Sequence, residues 1–338
     1  MARIAVDAMG GDYAPRAPIA GSLYALAELP AQHEIELIGR SAVIEAELSA
    51  LMSGELSGLA HLRHRLHVVE APDVIEMTDR PSVALRSKTN SSMVVGIRRV
   101  AGRQAQAFVS AGNTGAQMAA SLVHLKLHAG LTRPAIGTIF PTALETVLVL
   151  DSGANVDCSP EELVQFARIG AVYARDLLGR ERPAVGLLSI GEEPEKGNVA
   201  VKEAHQRLAA SGLNFIGNVE GRDIPRGRCD RGPIDVVVCD GFTGNVLLKF
   251  YESLAPMLIG MVSKIAGIDP RHALDSLKEL DADEHGGAPL LGVRGVSVIS
   301  HGRSSPRAMM NAILVALRAY ESGMTEDIGQ ALAEGDVA

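Results

Sequence analysis

The sequence predicts an α/β protein, a three-layer αβα sandwich with a mainly parallel sheet. Short runs rich in Val, Ile and Leu alternate with longer helical patterns along the 338 residues. The apolar runs lack the alternation of a half-exposed strand, which is expected when both faces of a parallel sheet are covered by helices. Hydrophobic residues make up 47% of the chain and charged residues 21%, so it can bury a substantial core.

Each element is placed by its apolar pattern and by the polar turn that follows it. The predicted strands are Arg3 to Ala8, Glu34 to Gly39, Arg65 to Glu70, Ala107 to Ser110, Ala135 to Phe140, Thr146 to Asp151, Ala184 to Ile190, Leu213 to Gly217, Asp235 to Asp240 and Val296 to Ser300. The predicted helices lie near 17–28, 41–52, 81–102, 114–127, 160–178, 197–211, 243–266 and 305–321.

No clean linker divides the chain, so we interpret residues 1–338 as a single domain. The weakest pattern runs from Gly267 to Gly287, where a proline, several acids and two glycines follow a long helix. We therefore predict a mobile helical hairpin at 250–287.

Charge and cysteine content exclude several classes of function. A formal net charge of −8 argues against nucleic acid as a partner, because binding a phosphate backbone requires a dominant basic surface. The three cysteines form no CxxC pair, which favours a reducing cytoplasm. No basic leader opens the sequence, and no segment approaches the roughly 18 apolar residues that a membrane span requires. The predicted location is the cytoplasm, and the alternative is peripheral association of this cytoplasmic protein with a membrane surface.

Six of the predicted strands end in glycine-rich polar turns that open helices. These turns are DAMGGD from Asp7, SAGNTGA from Ser110, DSGAN from Asp151, GEEPEKGN from Gly191, DGFTGN from Asp240 and SHGRSS from Ser300. Ligands of an open parallel sheet bind at the carboxyl ends of its strands, where glycines and helix N-termini offer N–H donors to an anion. One such turn is most often structural, but six together predict an anion site.

Other kinds of site lack support in the sequence. Neither GxxxxGK[ST] nor GxGxxG occurs, which disfavours the usual nucleotide and NAD loops. The segment HLRHRLH (His61, His64, His67) lacks a metal-binding spacing, so we expect no metal. GxSxG is missing, and Cys239, inside a strand, is better explained as a small core residue than as a nucleophile.

Several segments resemble the signature blocks of the bacterial phosphate acyltransferase family. They are VDAMGGD, SKTNSSM, SAGNTGA, SGANVD, KGN, NFIGNVEGRD, DGFTGNVLLK and, near the C-terminus, GGAPLLGV with SHG. The blocks run from Asp7 to His301 in the family's order. A tyrosine- and asparagine-containing run often precedes GGA in the family, whereas this chain has DADEH at 281–285.

The resemblance implies a fold like that of the isocitrate and isopropylmalate dehydrogenases, and a homodimer. It also implies a reaction in which a fatty acyl group moves from acyl carrier protein to inorganic phosphate without a cofactor. The acyl phosphate would then pass to a membrane glycerol-3-phosphate acyltransferase for phospholipid synthesis.

The candidate site residues are chosen by their side-chain chemistry and by their match to positions in the family's motifs. Lys196 would hold phosphate or polarise the carbonyl, and Asn245 would donate a hydrogen bond to the oxyanion. Asp240 and His301 complete the predicted catalytic set, either orienting groups and moving protons or serving structural roles at strand ends. The predicted phosphate- or substrate-binding residues are Asp7, Gly10, Gly11, Asp12, Asn90, Ser91, Ser110, Asn113, Thr114, Gly115, Asn198, Thr243 and Gly244. For Asp7, Asp12 and Asp240, helix capping is an equally good interpretation.

Two surfaces and three rival functions complete the predictions. Arg98, Arg99 and Arg103 would dock an acidic carrier or form an ordinary solvated face. A helical stripe (Leu254, Met257, Leu258, Met261, Val262 and Ile265) would pack in the core or a dimer, line an acyl groove, or contact a membrane. The rivals are a phosphate acetyltransferase using acetyl-CoA, a decarboxylating dehydrogenase and a non-catalytic scaffold at the membrane surface.

Overall fold

The computed structural model describes residues 1–266 and 286–335. Its strands are β1 (Arg3–Asp7), β2 (Glu34–Gly39), β3 (Leu66–Glu70), β4 (Ala107–Ser110), β5 (Ala135–Ile136), β6 (Thr138–Phe140), β7 (Val147–Leu150), β8 (Val185–Leu188), β9 (Phe215–Val219), β10 (Arg228–Cys229), β11 (Gly232–Pro233), β12 (Val236–Val238), β13 (Ala288–Leu291) and β14 (Val296–Ile299). Its α-helices are α1 (Arg16–Glu28), α2 (Ser41–Ser53), α3 (Pro81–Ser87), α4 (Ser92–Ala101), α5 (Thr114–His124), α6 (Pro160–Leu178), α7 (Val199–Ala209), α8 (Gly241–Ala266), α9 (Pro306–Glu321) and α10 (Met324–Gly335), with a 3₁₀ helix at Ser57–Arg65.

Every predicted strand and helix is present, and the predicted α/β architecture with mainly parallel strands and helices on both sides is confirmed. Two predicted elements are divided. The helix at 81–102 is α3 and α4, because Ser91 begins a new helix by accepting the N–H of Val94. The strand at 135–140 is β5 and β6. The short strands β10, β11 and β13 and the helix α10 were not predicted.

The chain forms two compact units. The described part of the first unit is 1–127 and 286–325, and that of the second is 128–266 and 326–335. That these units make one domain stays a prediction. The hairpin predicted at 250–287 begins inside α8, while 267–285, including the DADEH segment, lies outside the described residues.

In the first unit, six strands lie in the order β3, β2, β1, β4, β14, β13. All neighbours are parallel except β13 and β14. Helix α1 packs on α9, and α4 packs on the central strands, where Gly96 leaves room for the Phe108 ring. The register places Val6 beside Val109 and Val109 beside Val298, so β1, β4 and β14 end together at one edge.

In the second unit, five strands lie in the order β6, β7, β12, β8, β9. Within this sheet, β6 is antiparallel to β7, and the other neighbouring strands are parallel. The core contains Phe140, Val147, Val149 and Val237, and the inner face of α8 adds Leu247, Leu248 and Tyr251. Because β7, β12 and β8 are parallel neighbours, the turns that follow them share one edge of this sheet.

Carboxylates are distributed unevenly over the first unit. No Asp or Glu occurs at 80–127 or 286–320, although these two segments carry eleven Lys or Arg. Of the predicted arginine cluster, Arg99 is engaged by Glu36, whose side chain is 2% exposed. Arg98 and Arg103 remain exposed. The sequence therefore places an acid-poor region inside an acidic protein.

In the part of the chain that the structure describes, no helix is both long and apolar enough to cross a membrane.

Candidate active site

The predicted turns of the first unit meet around Asp7, which is 1% exposed at the end of β1. Its Oδ2 accepts a 2.7 Å hydrogen bond from Ser110 Oγ at the end of β4, and its Oδ1 accepts the N–H of Met9 at 3.0 Å. Burial raises the pKa of the Asp7 carboxyl, and hydrogen bonds from Ser92 and Ser110 oppose that rise. Asp7 thus ties β1 to the turns beside it.

Glycine is required at Gly10 and Gly11 for two different reasons. A Cβ at Gly10 would lie 2.7 Å from Asp7 Oδ2 and 2.9 Å from Ser110 Oγ, so a side chain has no room there. Gly11 has φ +98°, a left-handed conformation that favours glycine. The next residue, Asp12, donates its N–H to the carbonyl of Gly302 in the turn after β14.

Asn113 connects the start of α5 to the loop before α3. Its Oδ1 caps α5 by accepting the N–H of Ala116 at 3.0 Å. Its Nδ2 donates to the carbonyls of Glu76, Met77 and Asp79 at 3.1–3.3 Å. Among the described residues, the N–H groups of Thr114 and Gly115 in the first turn of α5 find no acceptor. Both predicted backbone donors therefore stay available to an anion.

A cavity of about 370 Å³ lies beside these turns within the first unit. It is lined by Met9, Gly11, Asp12, Ile75, Glu76, Met77, Thr78 and Gly112. Two predicted residues, Gly11 and Asp12, therefore face a cavity, whereas Asn90 and Ser91 are not part of its lining. Asn90 has an exposed side chain, and Ser91 caps α4.

His301 occupies the turn after β14 with an exposed side chain. Its Nδ1 accepts the N–H of Arg303 at 3.2 Å, and its carbonyl accepts the N–H of Ser304. This geometry supports the structural interpretation of His301 at the strand end.

In the second unit, Asp240 caps α8. Its Oδ1 accepts the N–H of Thr243 at 2.8 Å, and its Oδ2 accepts the Thr243 hydroxyl at 3.0 Å. The N–H of Gly244 donates to the carbonyl of Asp240. The predicted backbone donors Thr243 and Gly244 are therefore engaged by Asp240 in this structure, which favours the capping interpretation.

Lys196 lies in the loop between β8 and α7. Its stem crosses Gly191, where a Cβ would lie 2.9 Å from Lys196 Cγ. The side chain is exposed, and no carboxylate of the described chain forms an ion pair with its ammonium. Asn198 caps α7 by accepting the N–H of Val201 at 2.9 Å.

Asn245 is exposed in the first turns of α8 and faces Gly153. A Cβ at Gly153, which has φ +132°, would lie 3.5 Å from both Cβ and Oδ1 of Asn245. Gly153 belongs to the turn that Asp151 opens after β7. Asp151 and Asn155 were not among the predicted residues, although the DSGAN turn after an apolar run marks them by the same signal as Asp7.

Two cysteines of this unit, Cys158 and Cys239, are poor nucleophiles. Cys239 is 4% exposed, and burial raises the pKa of its thiol. Burial, with the nearby Asp151 carboxylate as the next cause, raises the pKa of Cys158 to about 12. The described residues contain no group of three His, Cys, Asp or Glu side chains arranged to hold a metal ion.

Solved structures of other proteins share this fold at low identity. The chain is similar to a phosphotransacetylase from Streptococcus pyogenes, with a TM-score of 0.62 and 14% identity over 95% of this chain and 94% of that one. A branched-chain phosphotransacylase from Enterococcus faecalis gives a TM-score of 0.58 at 15% identity, over 95% and 99% of the two chains. A 4-hydroxythreonine-4-phosphate dehydrogenase from Klebsiella pneumoniae gives a TM-score of 0.51 at 12% identity, over 95% of this chain and 98% of that one. At these identities the likeness shows the fold alone.

Sequence relatives are far closer and define an acyltransferase enzyme. A phosphate acyltransferase from Elusimicrobium minutum is 44% identical over 98% of this chain and 96% of its own. A phosphate acyltransferase from Heliobacterium modesticaldum is 48% identical over 93% of this chain and 92% of its own. The family model described as fatty acid synthesis protein matches residues 2–327. The chain belongs to this family, the phosphate acyltransferases, as the signature blocks predicted.

Proposed function

We propose that this chain transfers a fatty acyl group from acyl carrier protein to inorganic phosphate. A phosphate oxygen attacks the thioester carbonyl, and an O–C bond forms as the C–S bond breaks. The leaving thiolate takes up the proton that the attacking hydrogen phosphate loses, giving acyl phosphate and the free carrier thiol. The thioester is already an activated acyl donor, so no covalent enzyme intermediate is required.

The placement of Lys196 and Asn245 is the observation that carries this proposal. Lys196 lies in the loop after β8, and Asn245 lies in the first turns of α8, the helix that follows β12. Because β8 and β12 are parallel neighbours, both residues belong to the same edge of the sheet in the second unit. The ammonium has no carboxylate partner among the described residues, and the amide is exposed beside Gly153. A free cation and a free amide donor are what a phosphate dianion and a developing oxyanion need.

The two side chains divide the work. Lys196 holds the dianion near the carbonyl, and such positioning is worth about 7–11 kcal/mol in favourable cases. Asn245 donates its amide N–H to the carbonyl oxygen as negative charge develops, which is worth about 3 kcal/mol.

The decisive assay follows free carrier thiol and acyl phosphate with long-chain acyl carrier protein as donor, with and without phosphate. We expect both products only when phosphate is present, and slow turnover with acetyl-CoA. Lys196→Ala and Asn245→Ala should each lower kcat by about 10²-fold or more, the usual effect of removing an oxyanion donor. Lys202→Ala, which removes an exposed lysine of α7, is the matched control and should leave kcat unchanged.

Three outcomes would contradict the proposal. If the variants at 196 and 245 release thiol at the normal rate, the residue assignment is wrong. If acetyl-CoA outcompetes the long-chain donor, the chain is an acetyltransferase, and carrier binding without turnover would indicate a scaffold.

The proposed function extends to partners. We propose a homodimer and peripheral association with a membrane, where acyl phosphate passes to a glycerol-3-phosphate acyltransferase in phosphatidic acid synthesis. The exposed face of α8 supports an apolar partner, because Phe242, Val246, Phe250, Met257 and Met261 are each 51–64% exposed. Of the predicted stripe, Met257 and Met261 lie on this face, while the side chains of Val262 and Ile265 are outside the described set.

A further inference from the structure

We propose that Asp151 is a positioning residue that sets the place of Asn245 through the turn at 151–155. The proposal rests on the function proposed above, because Asn245 must be the group that contacts the reacting carbonyl.

The Asp151 carboxylate is completely buried and organises its own turn. Its Oδ1 accepts the N–H groups of Gly153 at 3.2 Å and Ala154 at 3.1 Å, and that of Ile136 at 2.9 Å. Its Oδ2 accepts both the backbone N–H of Asn155 at 2.7 Å and the Asn155 side-chain amide at 2.9 Å. Five N–H donors on one carboxylate leave the turn little freedom to move.

The first turn of α8 packs directly on this carboxylate. Gly241 donates its N–H to the carbonyl of Asn155 at 2.7 Å, and a Cβ there would lie 2.6 Å from Asp151 Oδ2. A Cβ at Gly244 would collide with the Asp151 backbone and lie 3.1 Å from Ser152 Cα. The two glycines of GFTG therefore let the helix start sit against the Asp151 turn.

Asn245 follows Gly244 immediately and is held from both sides. Its helix start rests on Asp151, and its side chain lies against Gly153, whose N–H the same carboxylate holds. Loss of the carboxylate removes the acceptor of the Gly153 N–H and frees Asn155, whose carbonyl holds the Gly241 N–H. A shift of about 1 Å in a positioned catalytic group can cost about 10²-fold in rate, so Asp151 acts on the reaction without touching the substrate.

A double-mutant cycle on the full chain tests this coupling, with kcat and the KM for phosphate as readouts. Asp151→Asn should lower kcat by about 10²-fold while the KM for phosphate stays within about twofold, because the Lys196 loop makes none of these contacts. In an Asn245→Ala background, the same change should alter kcat by no more than about twofold, since coupled residues are not additive. Asp157→Asn, an exposed aspartate of the same region, is the matched control and should behave as wild type.

Additive losses in kcat would overturn the positioning role while leaving the proposed function intact. Full activity of Asn245→Ala alone would overturn both. If Asp151→Asn fails to fold, Asn155→Ala goes through the same cycle, because it removes one donor from Oδ2 and leaves the carboxylate in place. A parallel fall in kcat and rise in KM for phosphate would indicate a general structural defect and would also overturn the proposal.

Discussion

Asp7 and Asp151 use the same local chemistry in different units. Each stands at the end of a parallel strand, is buried, and accepts N–H groups of the turn that follows it. Burial raises the pKa of both carboxyls, and the hydrogen bonds they accept oppose that rise. Each also lies against a glycine that no larger residue can replace, Gly10 in one case and Gly241 in the other.

Substitution and labelling of Cys158 and Cys239 test whether the reaction passes through a covalent acyl-enzyme intermediate. Burial raises the pKa of the Cys158 thiol to about 12, so the thiol stays protonated at pH 8 and ionises only as the pH approaches that value. We expect Cys158→Ala and Cys239→Ala to keep kcat within about twofold. Iodoacetamide labelling at pH 8 should be slow and should leave acyl transfer intact. Activity lost in step with labelling would implicate a cysteine nucleophile.

At the scale of elements, α8 has two faces with opposite environments. Leu247, Leu248 and Tyr251 pack on the core of the second unit, while Phe242, Val246 and Phe250 point outward. Periodicity predicted an apolar helix but not which side would be covered, because both faces carry large apolar side chains. The structure shows that the exposed apolar side chains begin at Phe242, in the same first turns of α8 as Asn245.

Two substitutions at Asn198 distinguish its role in helix capping from a role in phosphate binding. Asn198→Ala should lower the free energy of unfolding by about 1 kcal/mol, while Asn198→Asp keeps a capping oxygen and the wild-type stability. The aspartate also places a carboxylate two residues from Lys196. We therefore expect Asn198→Asp to raise the KM for phosphate in steady-state kinetics, with denaturant melts as the stability measure. An unchanged KM would mean that phosphate does not bind near this loop.

Strand ends were predictable because polar turns interrupt apolar runs, and Asp7, Asp240 and Lys196 all lie where the pattern placed them. Hydrogen-bond direction was not predictable. Thr243 and Gly244 look like free donors in the sequence, yet Asp240 engages both N–H groups. Asp151 was missed although its turn carries the same signal as the Asp7 turn, because the sequence pattern does not distinguish a buried aspartate from a solvated one. The very short strands β10 and β11 carry too few residues for any period to show.

At the scale of the whole molecule, the acid-poor region of the first unit predicts salt-dependent donor binding. Arg98 and Arg103 are exposed there, whereas Arg99 is engaged by Glu36. We expect the KM for acyl carrier protein to rise with NaCl and in Arg98→Glu/Arg103→Glu, because long-range attraction is screened by salt. An acyl-pantetheine donor should show neither effect, and Arg182→Glu in the second unit is the control. A salt-independent KM would remove this surface from carrier docking.

The first unit is built from two separated stretches of chain, and this affects how it folds during synthesis. β14, which lies between β4 and β13, comes from the stretch after residue 285. At about 5–20 residues per second, a ribosome needs roughly ten to thirty seconds to travel from the end of the first stretch to the start of the second. During that interval β4 waits with one edge unpaired while the second unit is being made. The strands made first therefore belong to the sheet that is completed last. Chaperones that cover exposed strand edges would act at this stage.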